Sequence, residues 1–220
     1  MQRPITLLIL IMLGAIHSAA AGAQPSLEPG EAMRIYSQID TWVRDWDLPS
    51  ADAPEAESEP LRAVTVTLRI DGRVFGRGNA ASADPDPTLV WRATSKAINA
   101  VNAKLTQDRD AMWEAFIRDL SKRIMISIEL GDELIPLSES ELPGFGYSPG
   151  SVGFVVRLGE KLDTIGPGSI LLKRGDPSRS VSALSLALSD DANLVMQSPQ
   201  DLHEQGFRYY RWIPMSIDQP

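Results

Sequence analysis

Arg62-Ala-Val-Thr-Val-Thr-Leu-Arg-Ile-Asp-Gly-Arg-Val-Phe75 is the stretch whose reading decides the fold. Val64, Val66, Leu68 and Ile70 fall on one side, and Ala63, Thr65, Thr67 and Arg69 on the other. That alternation, rich in β-branched residues, is the pattern of a half-buried strand. Asp71-Gly72 is a two-residue signal for the type I′ turn, whose twist matches that of a hairpin. Residues 73–75 return as a second strand, which Gly76-Arg77-Gly78 is expected to loosen. Asp86-Pro87 then predicts a helix, with Asp86 as N-cap and Pro87 at the first helical position. Val90, Ala97, Ile98, Val101 and Leu105 make its apolar stripe, so a helix laid across a sheet is the expected centre of the molecule.

The chain beyond this centre continues in the same vocabulary. Asp108 can cap a helix running to about Arg123, with Met112, Ala115, Phe116 and Leu120 along one side. Ile124, Ile126, Ile128 and Leu130 alternate as a third strand. Residues 133–137 contain Pro136, which suits a sheet edge because proline cannot donate to a ladder. A Gly/Pro/Ser-rich loop at 138–150 leads into a strand at 152–158, a Gly159-Glu160 turn, and a return strand at 161–165 that Gly166-Pro167-Gly168 ends. Asp176-Pro177 starts another helix, with Val181, Leu184, Ser185 and Leu188 on one face, and residues 207–217 read as a closing strand. Tight turns between strands, with helices inserted between the groups, predict an α+β fold: a mainly antiparallel sheet with helices packed on it, in a single compact domain.

The N-terminal part has a different character. Arg3, an apolar run at 5–16 and Ala21-Gly22-Ala23 form the pattern of a cleaved export signal covering residues 1–23. Cleavage would remove one base and no acid, leaving 20 basic against 29 acidic residues, a formal charge of −9. Such a surface repels nucleic acid, and no later run is long enough to anchor the cleaved chain as an integral membrane protein. The absence of cysteine excludes thiolate metal sites and thiol catalysis. An N-terminal helix is expected within 24–48, where Met33, Ile35, Ile39, Trp42, Val43 and Trp46 share a face. Residues 49–61, with three prolines and four acids, read as a linker to an α+β domain at 62–220. Export to the periplasm or the exterior is the expected localisation.

Chemistry-bearing motifs are sparse. Gly146-Tyr-Ser148-Pro-Gly150 matches G-x-S-x-G, but Pro149 has no N–H for an oxyanion hole, and a loop leading into a strand is the wrong setting. His203 is the one histidine left after cleavage and lies downstream, as a triad order would need. Gly76-Arg77-Gly78 lacks the third glycine of a phosphate-binding turn. Asp190-Asp191 near Asn193 lacks the ligand spacing of a calcium loop. No catalytic residue, metal ligand or cofactor is therefore assigned.

The order of segments resembles the AMMECR domain family, which includes the AMME-syndrome candidate protein and the microbial AmmeMemoRadiSam system protein A. The stretch from Val64 to Asn79, the helix pattern at 89–105, the strand at 126–130 and Val152-Gly-Phe-Val-Val-Arg-Leu-Gly-Glu-Lys161 are similar to that family's successive pieces. Gly166-Pro167 and the helix after Pro177 stand in the places of its proline loop and following helix. At the family's leucine-arginine-glycine-cysteine-isoleucine-glycine motif, Gly76 matches the middle glycine. Arg77 stands in the cysteine's place, Gly78 in the isoleucine's and Asn79 in the last glycine's. The resemblance implies the α+β arrangement, while the family's site does not carry over because its cysteine, isoleucine and last glycine are replaced; Arg77, Asn79, Tyr147 and Ser148 are the candidate ligand-surface residues. The expected function is an exported, non-enzymatic binding or interaction module for a protein or small-molecule ligand. The alternative is a hydrolase-type enzyme using Ser148 and His203.

Overall fold

The computed structural model describes residues 27–48, 61–105, 111–141, 150–172, 177–189 and 197–218. The expected export signal at 1–23, residues 49–60 of the expected linker at 49–61, the candidates Tyr147 and Ser148, and the Asp190-Asp191 pair lie outside the described residues. Strands β1 (Leu61–Ile70) and β2 (Arg73–Asp86) form the expected hairpin. Its turn residues Asp71 and Gly72 have φ of 49° and 75°, the two positive values that a type I′ turn requires.

Strand β2 shifts register next to Gly76, where Leu68 pairs with Gly76 and Arg69 with Val74, but it does not end there and runs on to Asp86. Helix α2 (Leu89–Lys104) is the reason, because it lies almost on the strand's backbone. A β-carbon on Gly78 would overlap the Ala93 carbonyl oxygen and stand 2.6 Å from Ala97 N, and one on Gly76 would stand 2.5 Å from Val101 Cγ2. These glycines permit close helix–strand packing rather than a break. Lys96 Nζ and Lys104 Nζ clamp the pair by donating to the carbonyl oxygens of Asn79 (2.9 Å) and Phe75 (2.6 Å). Asp86 is not the N-cap either, since it ends the strand and Thr88 occupies the cap position. Asp86 Oδ1 nonetheless accepts from Thr88 N at 2.8 Å and Thr88 Oγ1 at 2.7 Å, organising the turn from outside the helix.

Helix α1 (Pro29–Asp45) buries Ala32, Ile35, Ile39 and Val43 and brings Trp42 and Trp46 against the same core. Met33, placed on that face by the sequence pattern, is instead exposed. Trp46 Nε1 donates to Asn102 Oδ1 of α2, and Arg44 Nη1 donates to the carbonyl oxygen of Ile124. Helix α3 (Ala111–Arg123) turns Ile117 and Leu120 inward, while Phe116, also expected inside, is exposed. Strand β3 (Met125–Gly131) pairs with β1, and Ile126, Ile128 and Leu130 complete the core under α2.

A second sheet follows. Its strands are β4 (Ile135–Pro136), β5 (Gly153–Leu158), β6 (Lys161–Ile165) and β7 (Phe207–Trp212), in the order β4-β7-β5-β6, with Pro136 at the edge as predicted. Helices α4 (Pro167–Leu172), α5 (Pro177–Ser189) and α6 (Pro199–Glu204) belong to this half. The face of α5 bearing Val181, Leu184 and Leu188 shares a core with Phe154, Val156 and Tyr209. The predicted closing strand is in fact two. After β7 the chain passes Ile213-Pro214 and enters the first sheet as β8 (Met215–Asp218), giving the order β2-β1-β3-β8. Pro214 has no N–H to carry a ladder onward, so the crossing falls there.

Among the described residues all strand pairs are antiparallel and form two four-stranded sheets, and the fold is α+β. The sheets meet at Ala63, Ala81, Val155 and the fully buried Trp212. Gly131 and Gly153 make room for the indole: a β-carbon on either would come within 2.5 Å of its ring atoms. Trp212 Nε1 donates to Thr164 Oγ1 at 3.2 Å, so the buried indole is satisfied. No helix among the described residues is long and apolar enough to cross a membrane.

Candidate functional site

The second half of the chain covers the face of β1 that alternation leaves polar. Thr65 and Thr67 are therefore buried, at 1% and 4% exposure, and β1 is covered on both faces rather than half-buried. Strand pairing extends this face into two polar rows. Asn79, Thr65, Glu129 and Ser216 are opposite one another across β2, β1, β3 and β8, and Arg77, Thr67, Ser127 and Asp218 form the next row. The candidates Arg77 and Asn79 are thus brought into adjacent rows of one face.

Arg77 Nε donates to Thr67 Oγ1 at 3.1 Å. Burial pulls its guanidinium pKa down from the ordinary arginine value; the Glu129 carboxylate opposes that shift and Arg69 adds to it. Glu129 is the acid of this layer. Its Oε1 accepts from Gly168 N at 2.8 Å, which ties β3 to the start of α4. Burial pushes its carboxyl pKa up; the Gly168 N–H, Arg77 and Arg69 pull the other way, and Asp218 adds to the rise. Glu129 Oε2, Thr65 Oγ1 and Asn79 Oδ1, all from one row, are buried with no hydrogen-bond partner among the described residues. A β-carbon on Gly166 would overlap Glu129 Oε2 and stand 2.7 Å from Thr65 Oγ1, so the loop backbone rests on these oxygens and closes them off. The row is covered at its centre, where Thr65 is buried, while Asn79 and Glu129 are half-buried and Ser216 is exposed at the β8 end.

The open feature lies elsewhere on the same seam. A cleft of about 100 Å³ is lined by Arg62, Ala83, Leu134, Arg157, Leu162 and Tyr210. Both sheets contribute to it: Arg62 from β1 and Ala83 from β2, then Arg157, Leu162 and Tyr210 from β5, β6 and β7. The pairing of Leu61 with Asp86 and of Ala63 with Ala81 marks a register irregularity at Arg62, whose Nη1 donates to the Ala83 carbonyl oxygen. Such irregularities re-aim a side chain out of the strand's alternation. Arg157 stands opposite Leu162 near the tip of the β5–β6 hairpin, where its Nε donates to the Gly159 carbonyl oxygen at 2.7 Å. Its Nη2 lies 3.7 Å from Glu160 Oε1, on a side chain that is 99% exposed. No carboxylate lines the cleft among the described residues.

His203 lies on α6, which packs against β7 and α5, and its carbonyl oxygen accepts from Arg208 Nη1 at 3.0 Å. Of the sequence candidates that are described, neither Arg77 nor Asn79 lines the cleft. The arginines that do line it carry no local motif; the cues in the chain are Arg62 beside a strand start and Arg157 beside a Gly-containing turn.

No protein-family model matches the chain. No curated protein matches it either. Among solved structures, an uncharacterized protein from Pyrococcus horikoshii is similar over 90% of this chain and 98% of its own, at 12% sequence identity and a TM-score of 0.47.

Proposed function

We propose that this chain is an exported binding module that takes a small ligand in the cleft between its two sheets. One observation carries the reading: strands of both sheets converge on a concave site whose lining combines two guanidinium groups, a phenol ring and two leucines. Small ligands are held where apolar walls and a few fixed polar groups meet in a concavity at the junction of structural units, and this cleft joins both kinds of lining. The lining also supports recognition, since among the described residues it supplies two guanidinium donors, a phenol and apolar walls. Export rests on the apolar run at 5–16 and on Ala21-Gly22-Ala23. The AMMECR-like order of segments is part of the same proposal, and what supports it is the sequence pattern from Val64 to Leu188.

Leu162→Trp tests the site by filling it. In a thermal-shift screen of small polar and amphipathic compounds, some should raise the Tm of the wild type and leave the variant unmoved. Compounds that stabilise both proteins alike would place binding elsewhere, and a screen in which none stabilises the wild type would remove the binding reading.

A further inference from the structure

We infer that the ligand of this cleft is a carboxylate on a short apolar body, an inference that rests on the cleft being the binding site. The chain carries a net charge of −8, yet this cleft gathers two cationic side chains and no acid. Arg62 gives Nη1 to Ala83, and Arg157 gives Nε to Gly159. A guanidinium has five N–H donors, so both retain donors for a ligand. The planar fork of a guanidinium matches the two oxygens of a carboxylate, which adds geometric selection to charge.

The remaining lining sets the body of the ligand. Leu134, Leu162 and the ring of Tyr210 present hydrocarbon, which a bare inorganic anion would leave unused. A dry cavity of about 150 Å³ accommodates benzene, so a cleft of about 100 Å³ takes a body of about four non-hydrogen atoms. Among the described residues Arg157 pairs with the Glu160 carboxylate, whose exposed side chain holds it in a loose, solvent-screened contact. A ligand carboxylate would compete with that weak internal partner for the same guanidinium.

Titration of the full mature chain with butyrate, butyramide and inorganic phosphate, read by calorimetry, tests the inference. Butyrate should bind, and butyramide, which has the same shape without the charge, about tenfold more weakly. Arg157→Gln should abolish the preference for butyrate over butyramide. Glu160→Gln, a change at a fully exposed side chain that leaves the fold alone, should tighten butyrate about two- to threefold by removing the competitor. Equal binding of butyrate and butyramide, tighter binding of phosphate than of butyrate, no binding of butyrate, or a butyrate affinity untouched by both substitutions would each overturn the carboxylate assignment. Those outcomes are separate from the cleft itself, which stands or falls on whether Leu162→Trp blocks the compounds found in the screen.

Discussion

Glu129 shows how one residue gains meaning only from its neighbours. In the strand pattern it is a polar residue between two buried aliphatic ones, Ile128 and Leu130, and nothing in its local sequence distinguishes it from a solvated face. The structure half-buries it, with Oε2 closed off under the Gly166 loop and Oε1 bonded to Gly168, with Arg77 and Arg69 on one side of the balance and Asp218 on the other. Because burial raises its pKa in the folded state, the folded chain holds that proton more tightly than the unfolded chain. Its contribution to stability is therefore fully present below the ordinary carboxylate range and is lost as pH rises through the raised folded-state value. Glu129→Gln keeps an oxygen for the Gly168 N–H and adds an amide donor facing Thr65 Oγ1. The variant should be more stable than the wild type at neutral pH, and its advantage should shrink toward acid pH. Urea denaturation across that range reads both, and a variant less stable than the wild type at neutral pH would contradict this account of the layer.

Among the elements, the hairpin, the α2 stripe, α5 and the β5–β6 hairpin were legible because each is written in local periodicity and turn chemistry. Ile98 and Val101 lie in one core with Val66 and Leu68, as the two patterns together required. Leu68→Ala or Ile98→Ala should cost about 2–5 kcal/mol in chemical denaturation, from lost burial plus a cavity. What local pattern misreads is a residue that serves a distant partner. Gly76 and Gly78 look like a strand end, yet they are glycine because α2 comes close from sequence positions beyond the hairpin. Gly78→Ala should destabilise by about 1–3 kcal/mol, since the atoms in its way are the backbone of Ala93 and Ala97, which cannot rotate aside. A neutral Gly78→Ala would mean that the helix stands farther off than described. Two signals were present and unused: Pro214 divides β7 from β8, and Ser198-Pro-Gln-Asp201 is a capping sequence that starts α6.

At the scale of the whole molecule, two sheets with separate cores are joined by a thin apolar seam around Trp212 and by the partly covered polar rows beside it. A single alternating strand cannot announce that its polar face will be covered by residues 100 positions away, so Thr65 and Thr67 read as half-exposed. The cleft was invisible for the same reason: Arg62 and Arg157 belong to different sheets, and only the packing of the halves brings them together. The central claim, that this cleft is where the molecule meets its ligand, is tested most directly by amide chemical-shift mapping of the labelled chain during a butyrate titration. The account predicts saturable shifts concentrated at Arg62, Ala83, Leu134, Arg157, Leu162 and Tyr210, absent in Leu162→Trp. Shifts centred on other residues, or no saturable shift anywhere, would contradict it.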